Sequence, residues 1–283
     1  MAKTGQVNQS LMKEDVSTAK EHSMQMRKQS IYEQIHKGKE FLVRRYRAHN
    51  HILYLQSYSN TFGSIDELRE IYDHALKQDD FVEFVIATRP DCINEEIADL
   101  IASYKSDTIK DIWVELGLQS GNEQTLTAIN RGHTVAACEK AVGILRERGI
   151  KISLHVILGL PLEGYSELEE TASVVRAIAP EAVKIHNLHV PIRTRMYYQY
   201  QLGEFNPPAQ RRHISYTIWF LERIPADIII QRVVCDTPSH RLAAPVRFGA
   251  KGSFVHQLQK EMEERGSYQG RLSIEDEHHV GEA

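Results

Sequence analysis

The chain has 283 residues, of which 42% are hydrophobic and 25% charged, and this composition excludes a collagen-like, disulfide-scaffold or wholly disordered protein. Its 34 basic and 38 acidic residues give a net charge of −4 and a pI near 6.4, which argues against a strongly basic nucleic-acid-binding protein. No apolar run approaches the about 18 residues of a membrane span, and no apolar segment marks a secretory signal. We therefore expect a cytoplasmic protein.

The N-terminal residues 1–29 are polar and mixed in charge, which predicts a disordered leader. From Ser30 the pattern becomes helical, and Ser30 with Glu33 fits a capping box. Strands and helices then alternate. The strands are predicted at 51–59, 82–90, 111–120, 151–161 and 182–190. The helices between them are predicted at 64–78, 94–104, 134–148 and 166–178, with capping boxes at Ser64 and Glu67 and at Ser166 and Glu169.

These repeated strand–helix units predict an α/β fold of parallel strands joined by right-handed crossovers. The strands are apolar enough to be covered by helices on one face and by a packed interior on the other. An open doubly wound sheet and a full or partial barrel both fit this pattern. Both architectures place function at the carboxyl ends of the strands.

Residues 196–272 do not continue the regular strand–helix alternation. We predict that they form a C-terminal α/β extension that closes the barrel of residues 30–195. This extension contains a predicted helix at 197–223, a strand at 227–235 and a helix at 252–265. The tail from residue 273 is polar and acidic, which predicts disorder.

Glu115 is a candidate functional residue because it lies between the apolar Val114 and Leu116 on a predicted strand. A buried carboxylate costs several kcal/mol unless it is paired, and Arg89 or Lys184 could pair with it. The alternatives left open are an internal salt bridge, a solvent-facing side chain and a functional group.

His155, His186 and His189 lie on two neighbouring predicted strands, which indicates a polar cluster inside the barrel. Each could equally be an ordinary core histidine. His186 and His189 are three residues apart, so a regular strand would turn them to opposite faces. This spacing predicts no zinc site, which needs three or four converging ligands.

The three cysteines, Cys92, Cys138 and Cys235, are widely spaced and form no C-x-x-C pair. We expect them to be free, buried or half-buried thiols. The local sequence therefore predicts no zinc or iron–sulfur ligation.

Three ordered motifs, ELGLQSGNEQTLTAINRGH (115–133), SLHVILGLPLEG (153–164) and VKIHNLHV (183–190), together resemble radical S-adenosylmethionine (radical SAM) proteins. The segments at 54–76, 87–93 and 242–248 resemble the YhcC-like branch, which is related to the elongator-type and methylthiotransferase-type enzymes. The resemblance runs from about residue 30 to about residue 270. It implies a partial (β/α)6 barrel with S-adenosylmethionine lying across the strand ends.

By this resemblance Gln119 and Ser120 lie near the ribose and methionine portion of the cofactor, and Arg131 approaches its carboxylate. Gln56 would lie near the methionine amino group, and His155 would hold the ribose. The other predicted cofactor-binding residues are Glu115, His186, Gly159 and Pro161, and the segment from Gly159 to Pro161 would lie where a side chain would obstruct the adenine.

The resemblance also implies a [4Fe–4S] cluster held by three cysteines on a loop after the first strand. Residues 1–29 contain no cysteine, so we expect this chain to lack that strand and loop. A truncated radical SAM enzyme, inactive as it stands, is one hypothesis. A cluster-less paralogue that acts as a binding or scaffold protein and a metal-dependent barrel hydrolase are the alternatives.

The substrate is not indicated by the residues, since relatives act on tRNA, proteins or small molecules. An electron donor would be a partner of an active form. The basic residues Arg44, Arg45 and Arg47 and the pair Arg211 and Arg212 are more typical of solvated helix faces than of a nucleic-acid patch.

Overall fold

The computed structural model describes residues 7–56, 58–246 and 248–273, with side chains from residue 23 onward. Its strands are β1 (His51–Leu55), β2 (Phe81–Thr88), β3 (Asp111–Gln119), β4 (Lys151–Leu158), β5 (Ala182–Asn187), β6 (Val190–Pro191), β7 (Ile229–Arg232) and β8 (Leu242–Ala244). Its helices are α1 (Val7–Tyr46), α2 (Ile65–Leu76), α3 (Glu95–Ala102), α4 (Glu123–Ala128), α5 (Val135–Arg146), α6 (Tyr165–Ile178), α7 (Arg195–Gln201), α8 (Gln210–Arg223) and α9 (Lys251–Glu264).

Six strands form one parallel sheet in the order β1-β2-β3-β4-β5-β7, and β6 pairs with β8 in a small antiparallel sheet. The large sheet is curled. A flat sheet would place β1 and β5 about 19 Å apart, at four strand spacings of about 4.8 Å. Instead, Lys184 Nζ on β5 lies 3.5 Å from Tyr54 Oη on β1. The predicted partial barrel of parallel strands is confirmed, and the C-terminal region supplies β7 as its sixth strand.

The two faces of the curled sheet have opposite character. Side chains that point outward, such as Phe84, Val114 and Leu154, are fully buried and belong to the main hydrophobic core, to which the helices also contribute. Glu115 on β3 and Ser153 on β4 have alternating register with those residues and point inward. The prediction that both faces are apolar is therefore wrong, because polar groups fill the concave face.

Most predicted helices begin where their caps indicate. Ser64 and Glu67 form the predicted capping box, and Asn94 accepts a hydrogen bond from the Ile97 amide. The second predicted box is wrong by two residues, since the Gly164 amide donates to Glu167 at the start of α6.

The start of α1 and the predicted helix 197–223 also differ from the sequence prediction. Helix α1 begins at Val7 rather than at Ser30, so the predicted leader is helical from that residue on. Residues 1–6 of that leader and 274–283 of the predicted tail lie outside the described residues. The predicted helix 197–223 is two helices, because Pro207 and Pro208 cannot donate backbone hydrogen bonds between α7 and α8.

The free edge of β1 faces α1 across a groove of about 300 Å³. Ile31, Ile35 and Leu42 of α1 and Leu53 of β1 contribute to its lining. None of the described helices, α1 included, has a stretch both long and apolar enough to cross a membrane.

Gly121 sets how closely the end of β3 approaches α6. A Cβ at this position would lie 2.6 Å from Thr171 Cα and 2.7 Å from the Glu170 carbonyl oxygen. Both are backbone atoms, so the clash could be relieved only by moving the main chain. A Cβ at Gly143, inside α5, would meet nothing within 4 Å.

We expect Gly121→Ala to lower the free energy of unfolding by about 1–3 kcal/mol, since overpacking forces the backbone to shift. The matched variant Gly143→Ala should raise it by about 0.5–1 kcal/mol, because alanine restricts the unfolded chain and favours the helix. Urea denaturation of both variants checks this. Equal effects of the two substitutions would contradict the close approach at Gly121.

Candidate functional site

A cleft of about 610 Å³ opens at the carboxyl ends of the strands, where the sequence predicts function. Its volume lies within the range of small-molecule sites. The polar lining comes from the ends of four strands: Gln56 follows β1, Gln119 ends β3, His186 and Asn187 end β5, and Arg232 ends β7. Parallel strands end at one edge of the sheet, so residues far apart in the sequence meet here.

Arg131 is one of the two guanidinium groups in this cleft. It donates to the Gly117 carbonyl oxygen at 2.9 Å and to His133 Nε2 at 2.9 Å. A guanidinium has five N–H donors, so three of them remain for a ligand. Burial lowers the pKa of Arg131, which remains charged, and a buried charge binds an opposite charge more strongly than an exposed one.

Gln119 lies beside Arg131 in the lining and has a left-handed backbone conformation, with φ of 71°. The pairing of β3 with β4 shifts register between Leu116 and Gln119. An irregularity of this kind at the end of a strand redirects a side chain. Here it brings the Gln119 side chain to the cleft.

His186 lines the cleft with a buried ring nitrogen that can bind a ligand. Its Nε2 is buried and has no hydrogen-bond partner among the described residues. Its ring lies 5.2 Å from the His155 ring. Burial, followed by the electrostatic influence of His155, Arg232 and Lys184, lowers the pKa of His186 to about 3, so the His186 ring is neutral at pH 7. A buried polar atom without a partner is costly, and a ligand in the cleft would supply one.

Glu115 lies beneath the cleft in a buried network that joins four strands. Tyr54 Oη donates to it at 2.5 Å, His155 Nε2 contacts it at 2.8 Å, and Lys184 Nζ forms an ion pair with it. Of the two predicted pairing partners, Lys184 is therefore the one used, while Arg89 pairs with Asp91.

The ionisation of Glu115 follows from these contacts. Its side chain is only 2% exposed, and burial on its own raises the pKa. The hydrogen bonds from His155, Lys184 and Tyr54 outweigh burial and lower the pKa to about 2. Glu115 is thus a carboxylate at neutral pH, enclosed below the cleft.

Ser120 is fully buried and is not part of the cleft lining. It donates to Glu163 Oε1 at 2.6 Å, while the Leu160 amide donates to Glu163 Oε2 at 2.9 Å. Burial raises the pKa of Glu163 to about 7 in spite of these hydrogen bonds. Glu163 therefore ties the end of β3 to the loop after β4.

Gly159 and Pro161 lie in that loop. Gly159 has φ of +83°, and a Cβ there would lie 2.2 Å from Pro208 Cγ. The space beside Gly159 is thus filled by the chain itself, whereas the sequence predicted a ligand. Pro161 borders a second cavity of about 210 Å³, and its neighbour Leu160 lines the main cleft.

Sequence reasoning placed His189 in the polar cluster but missed its contacts with the residues after β7. His186 and His189 both line the cleft, so the expectation of opposite faces is wrong, because β5 ends at Asn187. Thr237 Oγ1 lies 2.6 Å from His189 Nδ1, and Cys235 donates its amide hydrogen to Asn187 Oδ1 at 3.0 Å. Both contacts join positions 48 residues apart, so no local sequence pattern indicates them.

The cysteines do not fit a [4Fe–4S] cluster. Cys138 is fully buried in α5, where burial raises the pKa of its thiol to about 12, and Cys92 lies in a short 3-10 helix after β2. Across the described residues no three His, Cys, Asp or Glu side chains converge as metal ligands. Thiolates from three cysteines hold such clusters, so the donor set present here does not match one.

The sequence matches the model of the radical SAM superfamily over residues 25–175 and that of the radical SAM C-terminal domain over residues 180–264. It is 35% identical over 246 residues to YtqA of Bacillus subtilis, covering 87% of this chain and 76% of that protein. It is 30% identical over 220 residues to YhcC of Escherichia coli, covering 78% and 71%.

Among solved structures, the archaeal Methanocaldococcus infernus Elp3 with an N-terminal deletion is similar in fold. The TM-score is 0.66 at 22% identity, over 77% of this chain and 55% of that one.

We expect Glu115→Gln to lower the free energy of unfolding at pH 7 by about 3–5 kcal/mol, since it leaves the buried Lys184 without a counter-charge. The folded pKa of about 2 lies below that of an unfolded glutamate, about 4.3. The stabilisation is therefore complete above about pH 4.5 and is lost as the pH falls towards 2.

Urea denaturation of both proteins at pH 7 and pH 3 checks this, and the difference between them should narrow at pH 3. The exposed Glu96→Gln serves as a matched control and should stay within about 0.5 kcal/mol of the wild type. A deficit of the same size at both pH values would contradict the assignment of the charge to Glu115.

Proposed function

Because the chain belongs to the radical SAM superfamily, we propose that its cleft binds S-adenosylmethionine across the carboxyl ends of β1, β3 and β5. The observation that carries this proposal is that two groups with unused hydrogen-bonding capacity line the same cleft. Among the residues that the structure describes, none pairs with the buried His186 Nε2, and three N–H donors of Arg131 remain unused. A zwitterionic nucleoside ligand supplies what both lack, namely a carboxylate and ribose hydroxyl groups.

In this proposal Arg131 binds the methionine carboxylate with its free N–H groups. The planar fork of a guanidinium matches the two carboxylate oxygens, and the site is partly desolvated. Gln119 and Gln56, which line the same cleft, offer amide hydrogen bonds to the methionine and ribose portions. The ring of His186 meets a ribose hydroxyl group.

Glu115, His155 and Ser120 act as positioning residues. His155 contacts Glu115 through Nε2, and this fixes the ring against which His186 packs. Ser120 and Glu163 hold the loop that carries Leu160 into the cleft. Leu160 and Ile157 supply apolar surface that excludes water from the bound ligand.

When bound, S-adenosylmethionine supplies an activated sulfonium group. In the superfamily an iron–sulfur cluster cleaves this group reductively, and the described residues do not fit that cluster. The residues of this chain bind and orient the cofactor, which is the part of the reaction that they support.

The scattered cysteines favour a second candidate, a protein that binds S-adenosylmethionine without cleaving it. Anaerobic reconstitution with iron and sulfide, followed by iron and labile sulfide analysis, separates the two candidates. Incorporation of less than a tenth of a cluster per chain supports the binding protein. One intact cluster per chain would overturn it and restore radical chemistry.

We expect Arg131→Gln to weaken S-adenosylmethionine binding by at least tenfold, in line with about 1.5–3 kcal/mol for a hydrogen bond to a charged group. Arg131→Lys should recover only part of the loss, because lysine keeps the charge without the fork. Isothermal titration calorimetry measures the dissociation constants, with circular dichroism to verify folding.

The control is Arg212→Gln, which removes an exposed arginine from α8 and should leave affinity unchanged. Equal affinity of the wild type and a folded Arg131→Gln would show that the cleft does not bind the cofactor carboxylate as proposed.

A further inference from the structure

Arg232 is the second guanidinium in the cleft, and no described residue forms an ion pair with it. It lies at the end of β7 and lines the same cleft as His186 and Cys235. Within the described part of the chain no ion pair or hydrogen bond engages its side chain. The nearby acidic residue Asp236 instead pairs with Lys251 at 3.1 Å and is 61% exposed.

The surroundings of Arg232 add to the positive charge. Lys184 pairs in register with Arg232 on the neighbouring strand β5, and the charges of both residues lower the pKa of His186. The carboxylate below them, Glu115, already receives hydrogen bonds from Tyr54, His155 and Lys184. Glu115 is thus the buried carboxylate beside these two cations, and the exposed Asp236, which also lines the cleft, is offset by Lys251, so the charge on this side is net positive.

The carboxylate of S-adenosylmethionine cannot neutralise both guanidiniums. Arg131 follows β3 and Arg232 ends β7, and the sheet order separates these strands by three spacings. Arg131 therefore lines the cleft from the β3 side and Arg232 from the β7 side. The cofactor has one carboxylate and two positive centres, so its binding at Arg131 increases the positive excess around Arg232.

Thr237 adds a second donor to the cleft that Arg232 lines. The backbone amide of Cys235 donates to Asn187 Oδ1, which fixes the orientation of the Asn187 side chain. Asn187 Nδ2 therefore donates to His189 Nε2 at 2.8 Å. We assign the His189 proton to Nδ1 on this basis, because Nε2 accepts. That proton is donated to Thr237 Oγ1 at 2.6 Å, which leaves the Thr237 hydroxyl hydrogen free for another acceptor.

We propose that Arg232 and Thr237 form a second anion site, which binds an oxyanion group, phosphate or carboxylate, on the substrate beside S-adenosylmethionine. This inference rests on the proposed function, because it assigns Arg131 to the cofactor and leaves Arg232 for the second ligand. The acceptor oxygens of a phosphate or carboxylate match the guanidinium and hydroxyl donors. The substrate then enters from the β5–β7 side of the cleft.

Inorganic phosphate and acetate are the two probes, titrated calorimetrically at constant ionic strength so that screening does not change. Arg131→Gln serves as the background, because it removes the other guanidinium of the cleft. In that background Arg232→Gln should weaken binding of at least one probe tenfold or more. The probe bound more tightly identifies the substrate group as phosphate or carboxylate.

Unchanged binding of both probes after Arg232→Gln would overturn the anion site. Loss of binding after Arg212→Gln would overturn it as well, since that exposed arginine of α8 does not line the cleft. A parallel titration of S-adenosylmethionine into wild type and the single variant Arg232→Gln should give affinities within threefold of each other. A tenfold loss there would assign Arg232 to the cofactor instead.

The two proposals fail in different ways. If S-adenosylmethionine does not bind to wild type, the proposed function fails, while the phosphate titration still decides the anion site. If Arg232→Gln does not fold, the wild type supplies the answer by nuclear magnetic resonance. Phosphate should then shift the ring signals of His186 but not those of His213, whose Nε2 meets the Val233 carbonyl. An unmoved His186 signal would overturn the site.

Discussion

The concave side of this barrel depends on one buried carboxylate, that of Glu115. Its partners come from β1, β4 and β5, so a single negative charge gathers side chains that a flat sheet would keep apart. Removing Glu115 alone would be strongly destabilising, because its partners would stay buried without the carboxylate that they contact. The curl that this charge stabilises brings the strand ends together and thereby creates the cleft above.

The cleft above Glu115 combines two separate chemical demands. On the β3 side the guanidinium of Arg131 is held by protein acceptors yet keeps most of its donors. On the β5 and β7 side neutral histidines surround Arg232, which no carboxylate balances among the described residues. A cleft with two separate guanidinium groups is suited to two anionic ligands or to one ligand with two anionic groups.

Local physics made much of this molecule predictable. The Ser64 capping box and the strand–helix alternation depend on neighbours a few residues apart, and parallel strands place their ends at one edge by necessity. The pairing of Glu115 with Lys184 could be anticipated because a buried carboxylate needs a cation. The contact between His189 and Thr237 could not, because it depends on where β5 ends and on a segment 48 residues away. The curl of the sheet decides which basic side chain lies next to which carboxylate, and no local sequence pattern encodes this curl.

The contact between Gly159 and Pro208 has a consequence for how this fold can change in evolution. The proline ring occupies the volume that any side chain at position 159 would need, and the left-handed backbone there also disfavours one. The two positions are therefore coupled. A descendant sequence that gains a side chain at 159 must first give up the proline ring, so the pair is expected to change together or not at all. An alignment of relatives should show this as covariation between the loop after β4 and the linker before α8.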